Sequence, residues 1–323
     1  MIRLLSAHSK VGELLVSSRG YAGQSISGVY PQLAVDEAFV GPEALDAAGL
    51  DVAFVAYPHG ESAAVVPGLL QSGVRLVVDL SADFRLSEAG MYSEWYGAEH
   101  PAPELLAEAH YGLPEVFGVA EGRLIANPGC YPTAAILALA PVVRRMGVDS
   151  ITINALSGVS GAGAKPAVKT HFVTANESVA AYGAPRHRHT PEIEVLLGEA
   201  AGNTENAVPN VTFVPHLIPI TRGEFETIVV EAAELPAAEE VLGWYEEDYA
   251  GWKFVNAGEK YPQVSHVANT NRARLSAVVD DRAGKLLLFS ALDNLLKGAS
   301  GAAVQNMNLA LGYPEDLGLE HLV

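Results

Sequence analysis

Cysteine is almost missing from this chain: Cys130 stands alone among 323 residues. An internal disulfide framework is therefore excluded, and the usage fits a reducing compartment. Basic residues are also scarce, with 20 Lys and Arg against 38 Asp and Glu and a formal net charge of -18. Such a field argues against nucleic acid and against anionic membrane surfaces as partners. It leaves room for a small anionic substrate held by a local cluster of Arg and His. No apolar run is long enough to span a bilayer. The first residues carry Arg3, His8, Lys10 and Glu13 and lack the uninterrupted apolar core of a signal peptide. A soluble, cytoplasmic protein is expected.

What is present is ample apolar material. Hydrophobic residues make up 49% and charged residues 18% of a chain long enough for two domains. Glu13–Val16, Asp51–Tyr57, Arg75–Asp79 and Leu124–Ala126 read as strands, separated by helices such as Ser62–Gln71, which Pro67 shortens or kinks. Short, continuous apolar strands alternating with helices predict a doubly covered parallel sheet of βαβ units. From about Ser150 the pattern changes. Ser150–Ala155, Val211–Val214, Phe225–Ala232, Arg274–Val279 and Leu286–Ala291 read as a mainly antiparallel sheet. Helices at Pro191–Leu197 and Ala237–Tyr249 would cover it, and an amphipathic helix from about Ala299 to Leu311 closes the chain. The expected fold class is α/β: a Rossmann-like parallel domain plus an α+β catalytic domain. Residues 1–128 with 298–323 would form the first, and residues 129–297 the second.

Cys130 lies in Asn127-Pro128-Gly129-Cys130-Tyr131-Pro132-Thr133, between the strand at Leu124 and a helix over Thr133–Met146. Amide groups and the dipole at a helix start stabilise a thiolate, and the flanking Pro and Gly stiffen the turn. A nucleophile is the stronger reading; a buried structural cysteine is the competing one. A thiol nucleophile needs a partner that titrates near neutrality, usually His. The segment Arg186-His187-Arg188-His189-Thr190-Pro191-Glu192 offers it, with Glu192 placed to orient His189 or to cap the helix. A bound metal is not expected, because no cysteine or carboxylate cluster at ligand spacing accompanies these histidines. Ser157-Gly158-Val159-Ser160-Gly161-Ala162-Gly163 would let backbone amides approach a phosphate or dinucleotide. It is not a hydrolase elbow, since Ala162 replaces the final glycine. Asn294, in Asp293–Gly301, could hold a carboxamide or phosphate.

Taken together, NPGCYPT at Asn127–Thr133, SGVSGAG at Ser157–Gly163, HRHTPE at His187–Glu192 and DLSADFRL at Asp79–Leu86 resemble the N-acetyl-γ-glutamyl-phosphate reductase family. The likeness runs from about Leu4 to Leu311 and includes Pro58-His59-Gly60 and Asp293–Ser300. It implies an NADP(H)-dependent, homo-oligomeric enzyme of arginine biosynthesis that acts on an acyl phosphate and releases inorganic phosphate. Cys130 would form a thioester, His189 would serve as acid/base with Glu192 orienting it, and His187 is the second candidate. Arg188, Arg222, Arg85 and Asn127 would bind substrate. Pro58, His59, Ser157, Gly158, Gly161, Gly163 and Asn294 would contact the cofactor. Ser18 and Arg19, at the end of the Glu13–Val16 strand where an acidic residue would favour NAD, suit the 2′-phosphate of NADP.

One element departs from that family. The chain contains no Gly-x-Gly-x-x-Gly, and Met1–His8 reads as the end of the helix that should follow the first strand and its glycine loop. The expectation is a chain that starts downstream of that strand. Three other readings are carried: a reductase of an aminoadipyl phosphate on a carrier protein in lysine biosynthesis, a Cys–His hydrolase or acyltransferase, and an inactive remnant.

Overall fold

The computed structural model describes residues 1–163, 165–202 and 209–323. Its first part alternates as expected. Ile2–Ser6 (α1) and Ile26–Val29 (α2) precede Val52–Val55 (β1), Glu61–Gln71 (α3), Leu76–Asp79 (β2) and Ala89–Tyr96 (α4). Ala109–Tyr111 (β3), Pro114–Phe117 (α5) and Leu124–Ala126 (β4) follow. The four strands form one parallel sheet in the order β1-β2-β4-β3. Burial on both faces explains the unbroken apolar runs. Val77, Leu124 and Ala126 pack against Ala63, Val66 and Leu69 of α3, while Leu76, Val78 and Ile125 face Leu4 and Leu5 of α1. Pro67 does not interrupt α3.

The strand expected at Glu13–Val16 is not formed. Its only neighbouring pairing is a single parallel bridge between Ser17 and Val40. Leu15 is 41% exposed and Leu14 and Val16 are only half-buried, so the segment has no ladder to hold it extended.

The second part begins with Cys130–Arg145 (α6), whose buried positions surround the whole helix, as a fully internal helix requires. It starts three residues before the expected Thr133. Gly129 is extended and serves as N-cap, and Pro132 falls in the first turn, where a missing N–H costs nothing. Ser150–Gly158 (β5), Phe172–Ala175 (α7), Ala180–Ala181 (β6), His189–Ala201 (α8), Val211–Ile218 (β7), Glu224–Glu231 (β8) and Ala238–Asp248 (α9) come next. Val255–Ala257 (β9), Ala273–Asp280 (β10) and Lys285–Leu292 (β11) complete a sheet ordered β6-β7-β5-β8-β11-β10-β9. β5 runs parallel to β7 and β9 to β10, and the remaining pairings are antiparallel. Helices α6, α8 and α9 cover one face and bury the largest apolar cluster. After a π-helical turn at Leu296–Ser300, Gly301–Ala310 (α10) returns to the first sheet, where Ala303, Val304 and Met307 meet Leu76, Val78 and Ile125.

Candidate active site

The turn from β4 into α6 is held from several directions. Asn127 donates its backbone N–H to the Asp79 carbonyl at 2.8 Å. Its side chain is 1% exposed; Nδ2 donates to the Ala299 carbonyl at 3.2 Å, and Oδ1 accepts from Asn306 Nδ2 at 3.2 Å. Asn127 therefore ties the turn to the C-terminal segment and has no amide group left for substrate, contrary to the expected binding role. Gly129 cannot carry a side chain. A β-carbon there would lie 2.5 Å from His189 Nε2 and 2.8 Å from an Arg85 guanidinium nitrogen. This close approach places the imidazole directly over the residue before the thiol.

Glu192 is not the orienting partner of His189. Its Oε1 accepts from the Tyr111 hydroxyl at 2.8 Å and from the Gly129 amide at 3.0 Å, while Oε2 faces Arg85 at 3.2 Å. Arg85 in turn donates to the carbonyls of Asn127 and Leu80. The carboxylate thus fixes the nucleophile turn and neutralises a buried guanidinium, and Arg85 is not free to receive an anion. His189 Nδ1 is buried without a partner. Burial, His187 and Arg85 together push the His189 imidazole well below the usual histidine range. His187 accepts the His189 backbone N–H on Nδ1 at 3.2 Å, and burial, Arg188 and Lys169 lower its pKa to about 4. Both rings are neutral at physiological pH.

The thiol is not activated by its helix alone. Burial pushes Cys130 well above the ordinary thiol value, and the adjacent Glu224 carboxyl adds to the rise. The Tyr131 amide and Arg85 oppose this without reversing it. The expected lowering at the helix start is thus outweighed by desolvation.

Cys130 opens onto a cavity of about 810 Å³. On one side are His59, Ser81 and Ala82, at the carboxyl ends of β1 and β2, where α/β sheets bind ligands. On the other are Lys169, Tyr182, Arg186 and Arg188. No carboxylate is among the described lining residues, so the local field is positive in a strongly acidic chain. Arg188 donates to His59 Nδ1 at 3.0 Å and lies over the Tyr96 ring. Burial and then Arg188 lower the His59 pKa.

The remaining candidates divide. Ser157 and Gly161 line the cavity. Gly158 does not face it; a side chain there would strike the Ile220–Arg222 backbone at 2.8 to 2.9 Å, so this glycine serves strand packing. Gly163 has a positive φ of 81° and nothing within 4 Å of a β-carbon. Asn294 accepts from the Gly223 amide at 2.8 Å and donates to Ser160 Oγ at 3.0 Å, joining three loops beside the cavity. Arg222 pairs with Asp293 at 3.0 Å and donates to Asn269 at 3.0 Å, outside the cavity lining. Pro58 and His59 form the loop before α3, but Asp83 already accepts the Gly60 and Ala63 amides. That helix start is therefore capped by the protein itself. Ser18 donates its amide to Val40, and Arg19 is exposed, paired with Glu61 at 2.7 Å and stacked over Tyr57. Among the described residues no cluster of three or more His, Cys, Asp or Glu could hold a metal.

Sequence reasoning missed Lys169, Asp83, Tyr111 and the pair Glu224 and Glu226. The last two had a readable signal: carboxylates at the inward positions of a strand whose next inward residues are Ile228 and Val230.

A parallel dinucleotide sheet, a second sheet and a thiol at the junction define a semialdehyde dehydrogenase, and the chain belongs to that family. Residues 1–121 match the model for the semialdehyde dehydrogenase NAD binding domain, and residues 130–294 match its dimerisation domain. Among curated relatives, the N-acetyl-gamma-glutamyl-phosphate reductase of Rubrobacter xylanophilus is 71% identical over 100% of this chain and 95% of its own length. That of Pelotomaculum thermopropionicum is 44% identical over 99% of this chain and 93% of its own. Aspartate semialdehyde dehydrogenase II of Vibrio cholerae shares the fold, with a TM-score of 0.69 at 18% identity over 93% of this chain and 90% of that one. The enzyme of Candida albicans, solved with NADP, gives 0.62 at 15% identity over 100% and 95%.

Proposed function

We propose that this protein uses NADPH to reduce N-acetyl-γ-glutamyl phosphate to N-acetylglutamate 5-semialdehyde with release of phosphate, a step of arginine biosynthesis. The observation that carries the reading is a lone thiol at the floor of a cavity lined by cations and by no carboxylate. An acyl phosphate carries its charge on the leaving group, and Lys169 and Arg188 on the cavity wall supply the counter-charge, while Arg186 is already paired with Glu94 at 3.1 Å. Cys130 attacks the acyl carbon, expels phosphate and holds the acyl group as a thioester. Neutral His189, with Nε2 over Gly129, donates a hydrogen bond to the oxyanion that forms on the same carbon. Glu192 and Arg85 act behind it as positioning residues.

The cofactor would lie along the carboxyl ends of β1 and β2, with His59, Ser157 and Gly161 bordering the nicotinamide end. NADPH, when bound, supplies the hydride. Arg19 stands exposed beside Tyr57, where it suits a 2′-phosphate once released from Glu61. We divide the chain into residues 1–128 with 298–323 for the cofactor and residues 129–297 for catalysis. The second part carries exposed Val168, Phe172 and Val173, and assembly as a homo-oligomer would cover them. The test is phosphate-dependent NADP⁺ reduction with N-acetylglutamate semialdehyde, run beside aspartate semialdehyde. Turnover that is absent, or that survives Cys130→Ala, overturns the reading. Turnover of an ester without nicotinamide would favour the hydrolase reading.

A further inference from the structure

Beneath Cys130, the core face of the second sheet carries two glutamates among apolar residues. Inward positions of β8 are Glu224, Glu226, Ile228 and Val230, and both glutamates are 0% exposed. The register sets Ser157 and Leu292 beside Glu224, and Ala155 and Ser290 beside Glu226. None of these can neutralise a carboxylate. No carboxyl oxygen of either glutamate has a well-formed hydrogen-bond partner. A buried carboxyl with nothing to satisfy it costs stability, so its position asks for an explanation.

The geometry supplies one. Ser157 lines the same cavity as Cys130. On the other flank, a β-carbon on Gly298 would lie 2.7 Å from Cys130 Cβ and 3.1 Å from Leu292 Cδ1. Both strand neighbours of Glu224 therefore touch the surroundings of the thiol, and the buried Glu224 carboxyl is close enough to it to raise the thiol's pKa.

We propose that Glu224 is the base that takes the proton of Cys130. The S–H bond breaks and an O–H bond forms on Glu224, leaving the electron pair on sulfur for attack on the acyl carbon. The carbon–oxygen bond to phosphate breaks with its pair, and phosphate takes a proton from solvent to leave as hydrogen phosphate. When the carbon–sulfur bond later breaks, the thiolate recovers the proton from Glu224. The scheme rests on the reading of Cys130 as the nucleophile of an acyl-phosphate reductase.

Charge accounting favours this acceptor over His189. Proton transfer to His189 would create a buried cation next to the charged Arg85, which opposes it. Transfer to Glu224 only moves a negative charge between neighbours. Burial raises the Glu224 carboxyl to about 8, within reach of a working base near neutral pH. Burial and then the charge of Glu224 push the Glu226 carboxyl well above the usual carboxylate range, which opposes a second charge there. The other titratable groups close to Glu224 are Tyr131 and Tyr182, and Arg85 acts on Cys130 from the other side, while β5 and β11 set uncharged side chains beside the two glutamates.

The chain has one cysteine, so alkylation by iodoacetamide reports Cys130 alone, without substrate or cofactor. In the unmodified protein the rate is expected to rise through a midpoint near pH 8. Glu224→Gln should slow it about tenfold or more at that pH and move the midpoint upward, and Glu224→Asp should restore part of the loss. His189→Gln should leave the alkylation midpoint in place while lowering kcat. Turnover of Glu224→Gln should fall about 100-fold in kcat/KM, within the range of general-base catalysis. Alkylation of Glu224→Gln that is as fast or faster, with a lower midpoint, would overturn the proposal, because the carboxylate would then only repel the thiolate. Loss of alkylation in His189→Gln with none in Glu224→Asp would overturn it as well. A Glu224-dependent midpoint in a protein that does not turn over the acyl phosphate would sink the substrate assignment and leave the proton acceptor standing.

Discussion

Substituting Glu192 by Gln tests the electrostatics of the nucleophile turn without reference to substrate. The Glu192 and Arg85 side chains are 1% and 7% exposed and 3.2 Å apart. A glutamine oxygen can still accept from Tyr111 and Gly129, but its amide nitrogen would face the guanidinium. Breaking one partner out of a buried ion pair costs about 3–5 kcal/mol, because the other charge stays buried. With two of three acceptor contacts retained, the lower end applies, about 3 kcal/mol. At about 2–4 °C per kcal/mol, the fall in Tm should be about 6–12 °C. Scanning calorimetry at pH 7.5 would measure it, alongside Arg85→Met and the double variant. The double variant should recover part of the loss, with a coupling above about 1 kcal/mol. Additivity within about 0.5 kcal/mol, or a Tm that hardly moves in Glu192→Gln, would refute the idea that this carboxylate neutralises Arg85.

Three further outcomes are expected. His187, held to about 4 in the folded chain, protonates near 6.5 when unfolded. The unfolded chain therefore binds the extra proton first, so stability present above pH 6.5 is lost as pH falls towards 4, by up to about 3 kcal/mol. Urea titrations at several pH values should show this slope, and His187→Gln should flatten it; an unchanged slope contradicts the neutral ring. Lys169→Ala should raise KM for phosphate about tenfold with little change in kcat, and an unaltered KM removes Lys169 from anion binding. Arg19→Asp should weaken NADPH about tenfold or more while sparing NADH, as loss of a charge-assisted bond to phosphate requires; equal effects on both cofactors would place the 2′-phosphate elsewhere.

Much of the fold was legible because its strands are short, apolar and doubly covered. Leu76–Asp79 and Leu124–Ala126 were readable for that reason, as were the alternating strands of the second sheet. Glu13–Val16 misled because an apolar run looks the same whether or not a neighbouring strand exists to pair with it. Cys130 and the turn before it were legible through Gly129 and the prolines. The role of Glu192 was not. Spacing puts it near His189, but its partner Arg85 lies 107 residues away along the chain, and only the fold brings the two together. The raised thiol pKa was hidden for a related reason: a helix start is local, whereas burial and Glu224 come from a distant strand. Reading β8 as beginning at Phe225 left out Glu224, the carboxylate that raises the thiol.

The return of α10 to the first sheet bears on how the chain is made. Val304 and Met307 cover Leu76, Val78 and Ile125, and Lys297 reaches back to Glu115 at 2.6 Å in a site fully closed to water. While the ribosome is still translating the second sheet, the first has strands but only part of its cover. Its apolar face must wait for residues made about 180 positions later than β4. The nascent amino-terminal half is thus the stretch most in need of a chaperone, and the second sheet, whose covering helices are already made, is the part able to settle first.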